Sequence, residues 1–172
     1  LIRHAVKQGI TVSLGHHNGG TEEIRRAADA GATAVTHLGN GIPNTLPRHP
    51  NQLWDQLAED RLTPMLITDG HHLPPSFIKS VFDLKGTGRV AIVSDAAPVA
   101  GFPPGKYRTL GHDAILEESG KLWVPEGNHL AGSSANIREC VEHLESLKFL
   151  GESAVDSAAI HTPLRLLGKT IL

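Results

Sequence analysis

The sequence has little of several features that identify whole classes of protein. A single cysteine, Cys140, excludes an intrachain disulfide framework and is compatible with a reducing compartment. No apolar run reaches the roughly 18 residues that a membrane span requires, and the first residues show no signal-peptide pattern. The net charge of −2, with lysine and arginine scattered along the chain, gives no basic surface for nucleic acid. We therefore expect a cytoplasmic protein that binds neither membranes nor nucleic acid.

Aromatic residues are also scarce, whereas histidine is abundant. The chain has 11 His, and its aromatic content is 4%. Histidine is the commonest metal ligand and also carries protons near neutral pH. The positions of the histidines along the chain are therefore the most informative feature of the sequence.

The length of the chain sets a limit on its organisation. The 172 residues are enough for one domain. The chain opens on Leu1, and its first residues resemble the last turns of a helix that Gly9 ends. We expect a single, partial domain over residues 1–172, cut from a longer chain.

Short apolar runs alternate with helical patterns over the first half of the chain. Three helices are predicted: one capped by Thr21, one from Gln52 to Glu59, and one with Pro74 and Pro75 in its first turn. Alternation of this kind predicts a parallel sheet with right-handed crossovers, an α/β fold. The four strand candidates are 10–14, 32–36, 65–67 and 90–93.

Each predicted strand is followed by a residue that can bind metal or move a proton. These residues are His16, His37, His72 and Asp95. Active groups of parallel α/β proteins gather at the C-terminal ends of the strands, so we expect all four at one rim.

The pattern changes after Asp95. The loop 98–105 is rich in proline and glycine and is predicted to act as a lid, and 114–116 with 121–124 form a predicted hairpin. We interpret 98–131 as a lid loop and small hairpin insertion. Beyond it, Ser133 or Ser134 is expected to cap a helix from about 135 to 149. Ser153 is expected to cap the helix 154–159, which continues through Leu167.

His16 and His37 are predicted to bind a divalent metal. They follow consecutive strands and lie beside glycine-containing turns, as expected for two imidazoles side by side rather than for surface histidines. His17 points the other way if the strand persists. Zinc is the first expectation, although iron, cobalt and manganese suit the same ligands.

Asp95 has several interpretations. It can cap a turn, ligate a metal, or accept a proton from metal-bound water and return it to a leaving group. Arg48 is either a solvated charge or, with the backbone amides of Asn40 and Gly41, part of an anion cradle. His72 is a candidate substrate contact. The other histidines and Cys140 are interpreted as surface or packing residues, namely His4, His49, His112, His129, His143 and His161.

Five motifs, in this order, resemble the N-acetylglucosamine-6-phosphate deacetylases of the amidohydrolase superfamily. The resemblance covers essentially the whole chain and implies the second half of a (β/α)8 barrel, strands five to eight. The motifs are Gly15-His16-x-Asn18, Thr36-His37-Leu38-x-Asn40, Asp69-Gly70-x-His72, Ser94-Asp95-Ala96 and Leu130-Ala131-Gly132-Ser133.

The resemblance also implies roles for individual residues. His16 and His37 would be metal ligands, and Asp95 the catalytic acid and base that helps to remove acetate from N-acetylglucosamine 6-phosphate. The sugar phosphate would contact His72, the backbone amides around Asn40 and Gly41, and Arg48. Arg48 would serve the site of a neighbouring subunit, which implies a homodimer of the full-length protein.

The chain departs from the family pattern at several places. His17 replaces a usual serine, and Gly39 and Gly41 stand where larger residues are common, which loosens the pocket. The family's remaining metal ligand, a glutamate on an earlier strand, lies outside this chain. Two alternatives therefore stay open: a non-catalytic binding module of the same fold, or an amidohydrolase that acts on a different N-acyl sugar or a cyclic amide.

Overall fold

The fold is described from a computed structural model, which describes residues 1–169. Four strands form a parallel sheet in the order β1-β2-β3-β4. They are β1 (Ser13–Leu14), β2 (Ala34–Val35), β3 (Thr63–Ile67) and β4 (Ala91–Val93). The predicted α/β fold is confirmed. The first two strands are shorter than predicted, although the Thr36 N–H still donates to the Leu14 carbonyl at 2.8 Å beyond the end of β1.

Helices connect the strands as expected. Helix α1 (Ile2–Lys7) precedes β1, and the connecting helices are α2 (Thr21–Asp29), α3 (Gln52–Ala58) and α4 (Pro75–Lys85). The prediction that Thr21 caps α2 is wrong, because Gly20 is the N-cap residue and Thr21 is the first helical residue. The Glu23 carboxylate reaches back to accept the N–H of Gly20 at 3.1 Å, as the third helical residue does in a capping box.

The main core lies between the sheet and these helices. Buried aliphatic side chains come from α2, β3 and α4, and include Ile24, Leu66 and Ile78. Cys140 belongs to this core, and burial raises the pKa of its thiol to about 11. The packing interpretation of Cys140 agrees with this position.

A second sheet occupies the region after Asp95. Its four antiparallel strands are β5 (Gly105–Thr109), β6 (His112–Leu116), β7 (Leu122–Val124) and β8 (His129–Leu130). The predicted hairpin is confirmed as β6 and β7, and a further strand lies on each side of it. Val99, within the predicted lid loop, is buried in the small core beneath this sheet. The lid role stays a prediction.

Three α-helical segments end the described chain. They are α5 (Ile137–Ser146), α6 (Glu152–Asp156) and α7 (Thr162–Leu166), and a π-helical turn (Ser157–His161) joins the last two. Two predicted caps are wrong. Asn136, not Ser133 or Ser134, caps α5 by accepting the Arg138 and Glu139 N–H groups, and Gly151 precedes α6 where Ser153 was expected.

Among residues 1–169, no helix is long and apolar enough to span a membrane.

Candidate active site at the strand ends

The C-terminal ends of the four parallel strands surround one cavity of about 750 Å³. All four residues predicted to meet at the rim line it. They are His16, His37, His72 and Asp95. Parallel strands bring their C-terminal ends to one edge, so residues far apart in sequence become neighbours.

His16 and His37 form a close pair. Their ring centroids lie 4.7 Å apart and the rings meet edge to face at 82°. His37 is only 7% exposed, and its Nδ1 is buried without a hydrogen-bond partner among residues 1–169. A buried polar atom without a partner is uncommon and calls for a ligand or water.

Burial favours the neutral form of the His37 imidazole. Burial lowers the pKa of His37, and the neighbouring His16 and His72 lower it further, whereas the Asp95 carboxylate opposes the shift. A neutral imidazole has a lone pair for a cation, so this environment suits a metal ligand.

Gly41 allows the turn after β2 to pack closely against this pair. A Cβ at Gly41 would lie 3.0 Å from His37 Cε1 and 3.3 Å from His16 Cα. A larger residue would push against backbone as well as side chain. The glycine therefore accommodates the close packing of the two histidines, and a side chain here would need the His37 ring or the His16 backbone to shift by a few tenths of an ångström.

The two imidazoles supply only part of a metal site. Within residues 1–169, no group of three or more His, Cys, Asp or Glu side chains is arranged to hold a metal ion. Catalytic zinc sites have three protein ligands and an open position. His17 does not complete the set, because its Nδ1 accepts the Gly19 N–H at 3.0 Å and its Nε2 lies 2.6 Å from Gln56 Nε2. The donor atoms present fit a divalent metal that takes a further ligand from elsewhere.

Asp95 stands at the end of β4 with its carboxylate open to the cavity. Its backbone is left-handed, with φ +52°. The Ser133 N–H donates to the Asp95 carbonyl at 2.9 Å, and the Ala97 N–H donates to the Ser133 carbonyl at 2.8 Å. Among the described residues, the carboxylate itself accepts no hydrogen bond, so the turn-cap interpretation is not supported. A carboxylate whose oxygens are free in a cavity can take up or release a proton.

Gly132 makes the close approach to Asp95 and is expected to tolerate no side chain. Its φ is +73°, and an added Cβ would lie 3.0 Å from the Asp95 carbonyl oxygen. We expect Gly132→Ala to destabilise the fold by more than the roughly 1–2 kcal/mol that a left-handed backbone alone costs. Gly101→Ala is the matched control, since Gly101 has φ +82° and open space around it. Urea unfolding measures the free energy of unfolding of both variants. Equal losses of that free energy would show that the Asp95 carbonyl moves away from the added Cβ at no cost.

His72 faces the cavity and His71 faces away from it. The His71 ring lies 3.0 Å from the Ser119 carbonyl on the second sheet, while the His72 Nδ1 lies 2.8 Å from Asp69 Oδ2. The support that Asp69 provides was not predicted.

One backbone amide of the predicted anion cradle is already engaged, because the Asn40 N–H donates to the His37 carbonyl at 2.9 Å. Asn40 lines the cavity, and its side-chain Nδ2 is buried without a partner among the described residues. The Gly41 carbonyl accepts the His17 N–H at 3.3 Å, which holds the turn in place. Arg48 is exposed on the following loop and is not among the residues that line this cavity. Its predicted contact with an anion stays a prediction.

The second sheet contributes cavity residues that the sequence analysis missed. Asn128, His129 and Leu130 lie along one wall, and the His129 ring stands 5.6 Å from the ring of His112. His129 had been grouped with the surface or packing residues. Its position directly before the Leu130-Ala131-Gly132-Ser133 motif was the available signal.

Comparison with known proteins gives the relatives of this chain. No family model matches it. The N-acetylgalactosamine-6-phosphate deacetylase of Escherichia coli O157:H7 is 32% identical over 97% of this chain and 44% of its own length. The human N-acetylglucosamine-6-phosphate deacetylase is 34% identical over 98% of this chain and 42% of its own length.

A solved structure shows the same arrangement of backbone. The N-acetylglucosamine-6-phosphate deacetylase of Mycobacterium smegmatis matches with a TM-score of 0.88 and 28% identity, over 98% of this chain and 45% of that one. A point mutant of that enzyme, in complex with N-acetylglucosamine 6-phosphate, matches with the same TM-score. The chain spans less than half the length of these relatives. It belongs to the family of N-acetylglucosamine-6-phosphate deacetylases.

Proposed function

We propose that this chain carries part of the active site of a deacetylase that hydrolyses N-acetylglucosamine 6-phosphate to acetate and the free amine. The observation that carries the proposal is the convergence of His16, His37, His72 and Asp95 on one cavity. The names of the relatives support the reaction, and the sugar phosphate bound to a solved relative supports the substrate class.

The proposed metal is a divalent ion, zinc in the first place, held by His16 and His37. When bound, such an ion supplies Lewis acidity and lowers the pKa of a water ligand towards about 7. Iron, cobalt and manganese are compatible with the same donor atoms. The resemblance implies that a glutamate from an earlier strand of the full-length protein completes the ligand set.

Asp95 is proposed to move the proton. Its carboxylate is exposed to the cavity and takes a proton from the attacking water. The same carboxyl then returns this proton to the amide nitrogen, because an amine leaves poorly as an anion. One residue thus serves as general base and then as general acid.

We propose that two regions of the cavity, together with Arg48 of a neighbouring subunit, hold the sugar phosphate. His72 contacts the substrate. The phosphate is received by the backbone amide of Gly41 and the side-chain Nδ2 of Asn40, since the Asn40 backbone N–H already donates to the His37 carbonyl at 2.9 Å. Arg48 is exposed and does not line the cavity of its own chain. This supports the proposal that it reaches the site of a neighbouring subunit in a homodimer.

The Arg48 proposal predicts a change in substrate affinity. Arg48→Ala is introduced into the chimera described at the end of this subsection. It should raise the KM of the chimera for a phosphorylated substrate about 10- to 100-fold, because a hydrogen bond to a charged group contributes roughly 1.5–3 kcal/mol. Arg108→Ala, on the exposed face of the second sheet, should leave KM unchanged. An unaltered KM in Arg48→Ala would remove Arg48 from the phosphate site.

The parallel sheet is proposed to be half of a (β/α)8 barrel. Four parallel strands, each followed by a helix, and a site at their C-terminal ends are the features of such a barrel. Edge strands β1 and β4 would then pair with strands of the remaining half.

A second candidate is a non-catalytic binding module. The observation that favours it is the lack of a three-residue ligand group within residues 1–169. Such a module would keep the sugar-phosphate contacts and hydrolyse nothing.

A chimera separates these candidates. This chain replaces the matched segment of the Mycobacterium smegmatis deacetylase, and acetate release is measured with added zinc. Both N-acetylglucosamine 6-phosphate and N-acetylgalactosamine 6-phosphate are tested, since relatives of both names match. We expect turnover of at least one of them. A folded chimera that binds the sugar phosphate but releases no acetate would favour the binding module.

A further inference from the structure

A buried network behind His72 has no part in the function proposed so far. We propose that Asp69, supported by Ser133, is a positioning residue that holds His72 in the tautomer with the proton on Nδ1. This leaves Nε2 as the ring nitrogen available to the cavity. The tautomer follows from the hydrogen bonds that surround the Asp69 carboxylate, whereas its use in substrate contact rests on the proposed function.

The Asp69 carboxylate is saturated with donors. Oδ1 accepts the backbone N–H groups of His71 and His72 at 2.9 and 3.0 Å. Oδ2 lies 2.8 Å from His72 Nδ1 and accepts the Ser133 hydroxyl at 2.6 Å. An ionised carboxylate has about four acceptor positions, and here four donors face it.

The charge state of Asp69 decides where the shared proton lies. Burial alone would raise the pKa of Asp69, but the hydrogen bonds from His72, Ser133 and His71 hold it well below its usual range. The carboxylate is therefore ionised and can only accept. The proton in the contact between Asp69 and His72 consequently belongs to Nδ1.

Burial makes this pair rigid. The side chain of His72 is 6% exposed and that of Asp69 is 2% exposed. A hydrogen bond to an ionised group in such surroundings is shorter and stronger than a neutral one. Rotating the ring would break it and leave a buried carboxylate with an unmet acceptor position, which is costly.

Ser133 connects this network to Asp95. Its hydroxyl donates to Asp69, while its backbone bonds to the Asp95 carbonyl and to the Ala97 N–H, at 2.9 and 2.8 Å. A single residue thus holds the ends of β3 and β4 at a set distance. The orientation of the His72 ring and the position of the Asp95 backbone therefore depend on the same short segment.

The tautomer is measured directly by long-range ¹H–¹⁵N correlation NMR on the ¹⁵N-histidine-labelled 172-residue chain. The spectrum is recorded at about pH 8.5, above the ordinary imidazole pKa of about 6.5, and His72→Gln assigns the signals. We expect His72 to carry its proton on Nδ1 and Asp69→Ala to move it to Nε2. Asp69→Asn should move the proton to Nε2 as well, because its amide oxygen would accept the backbone N–H groups of His71 and His72 and its amide nitrogen would then face His72 Nδ1 as a donor. Asp83→Ala, which removes an exposed carboxylate paired with Lys79, should change nothing.

Two results would overturn the proposal: a His72 proton on Nε2 in the unsubstituted chain, or an unchanged tautomer in a folded Asp69→Ala chain. The spectrum of the unsubstituted chain decides the first without any variant. No metal or substrate is in the sample, so failure of the deacetylase proposal leaves these spectra as expected. Failure of the positioning proposal appears in them whatever the activity.

Discussion

Replacing Asp95 by asparagine is expected to lower acetate release by the chimera about 10²- to 10⁴-fold, the usual contribution of general acid–base catalysis. Asparagine keeps the size and shape of the side chain but can neither take up nor return the proton. Sugar-phosphate affinity should change little, because the loss lies in proton transfer. Initial rates at saturating substrate measure the effect.

The same substitution should leave the fold intact. The Asp95 carboxylate is exposed and makes no hydrogen bond among the described residues, and asparagine tolerates the left-handed backbone that Asp95 adopts at φ +52°. Asp113→Asn is the matched control, since Asp113 is an exposed acid of the second sheet. If Asp95→Asn kept more than half of the activity, another group would have to move the proton.

Replacing His37 by asparagine is expected to weaken zinc binding at least about 100-fold. Loss of a group that only orients a metal ligand typically costs 10- to 100-fold, and removal of a ligand should cost more. Asparagine again suits the positive φ of +35° at this position, so the loss should reflect the missing imidazole rather than backbone strain. Isothermal titration of the 172-residue chain with zinc measures the affinity.

The control for this experiment must account for the many other histidines. His4→Asn removes an exposed histidine of α1 and should leave the zinc affinity unchanged. His16→Asn should match His37→Asn, and the double variant should lose little more, because the two residues act on one ion. Unaltered binding in His37→Asn would place the zinc elsewhere on the chain.

The convergence of the site residues was predictable because its causes are local. Apolar runs mark the strands, glycine-containing turns mark their ends, and parallel pairing then brings His16, His37 and Asp95 to one edge. The length of the strands was less predictable. Residues 10–12 have the composition of a strand but lie outside β1, since only Ser13 and Leu14 pair with β2.

The second sheet was largely hidden in the sequence. Strand β5, Gly-Lys-Tyr-Arg-Thr, is charged and mostly solvated, so its strand character arises from pairing with β6 rather than from its own composition. Strand β8 has two residues and pairs only with β7. His129 could not be placed on the cavity wall until that pairing was known.

The role of Ser133 was missed for a tertiary reason. A serine before a helix favours a cap, and so does the asparagine that follows at position 136. In the structure the Ser133 hydroxyl donates to Asp69, 64 residues earlier in the chain, and Asn136 caps α5 instead. A hydrogen bond over such a separation has no local signal in the sequence.

The central claim is that His16 and His37 hold one metal ion beside Asp95. Anomalous scattering at the zinc edge, from crystals of the 172-residue chain grown with zinc chloride, tests it most directly. The account predicts one zinc ion bonded to a ring nitrogen of each histidine, at the roughly 2.0–2.1 Å usual for zinc and imidazole. Zinc bound only elsewhere, for example between His112 and His129, with His16 and His37 carrying no ion, would contradict it.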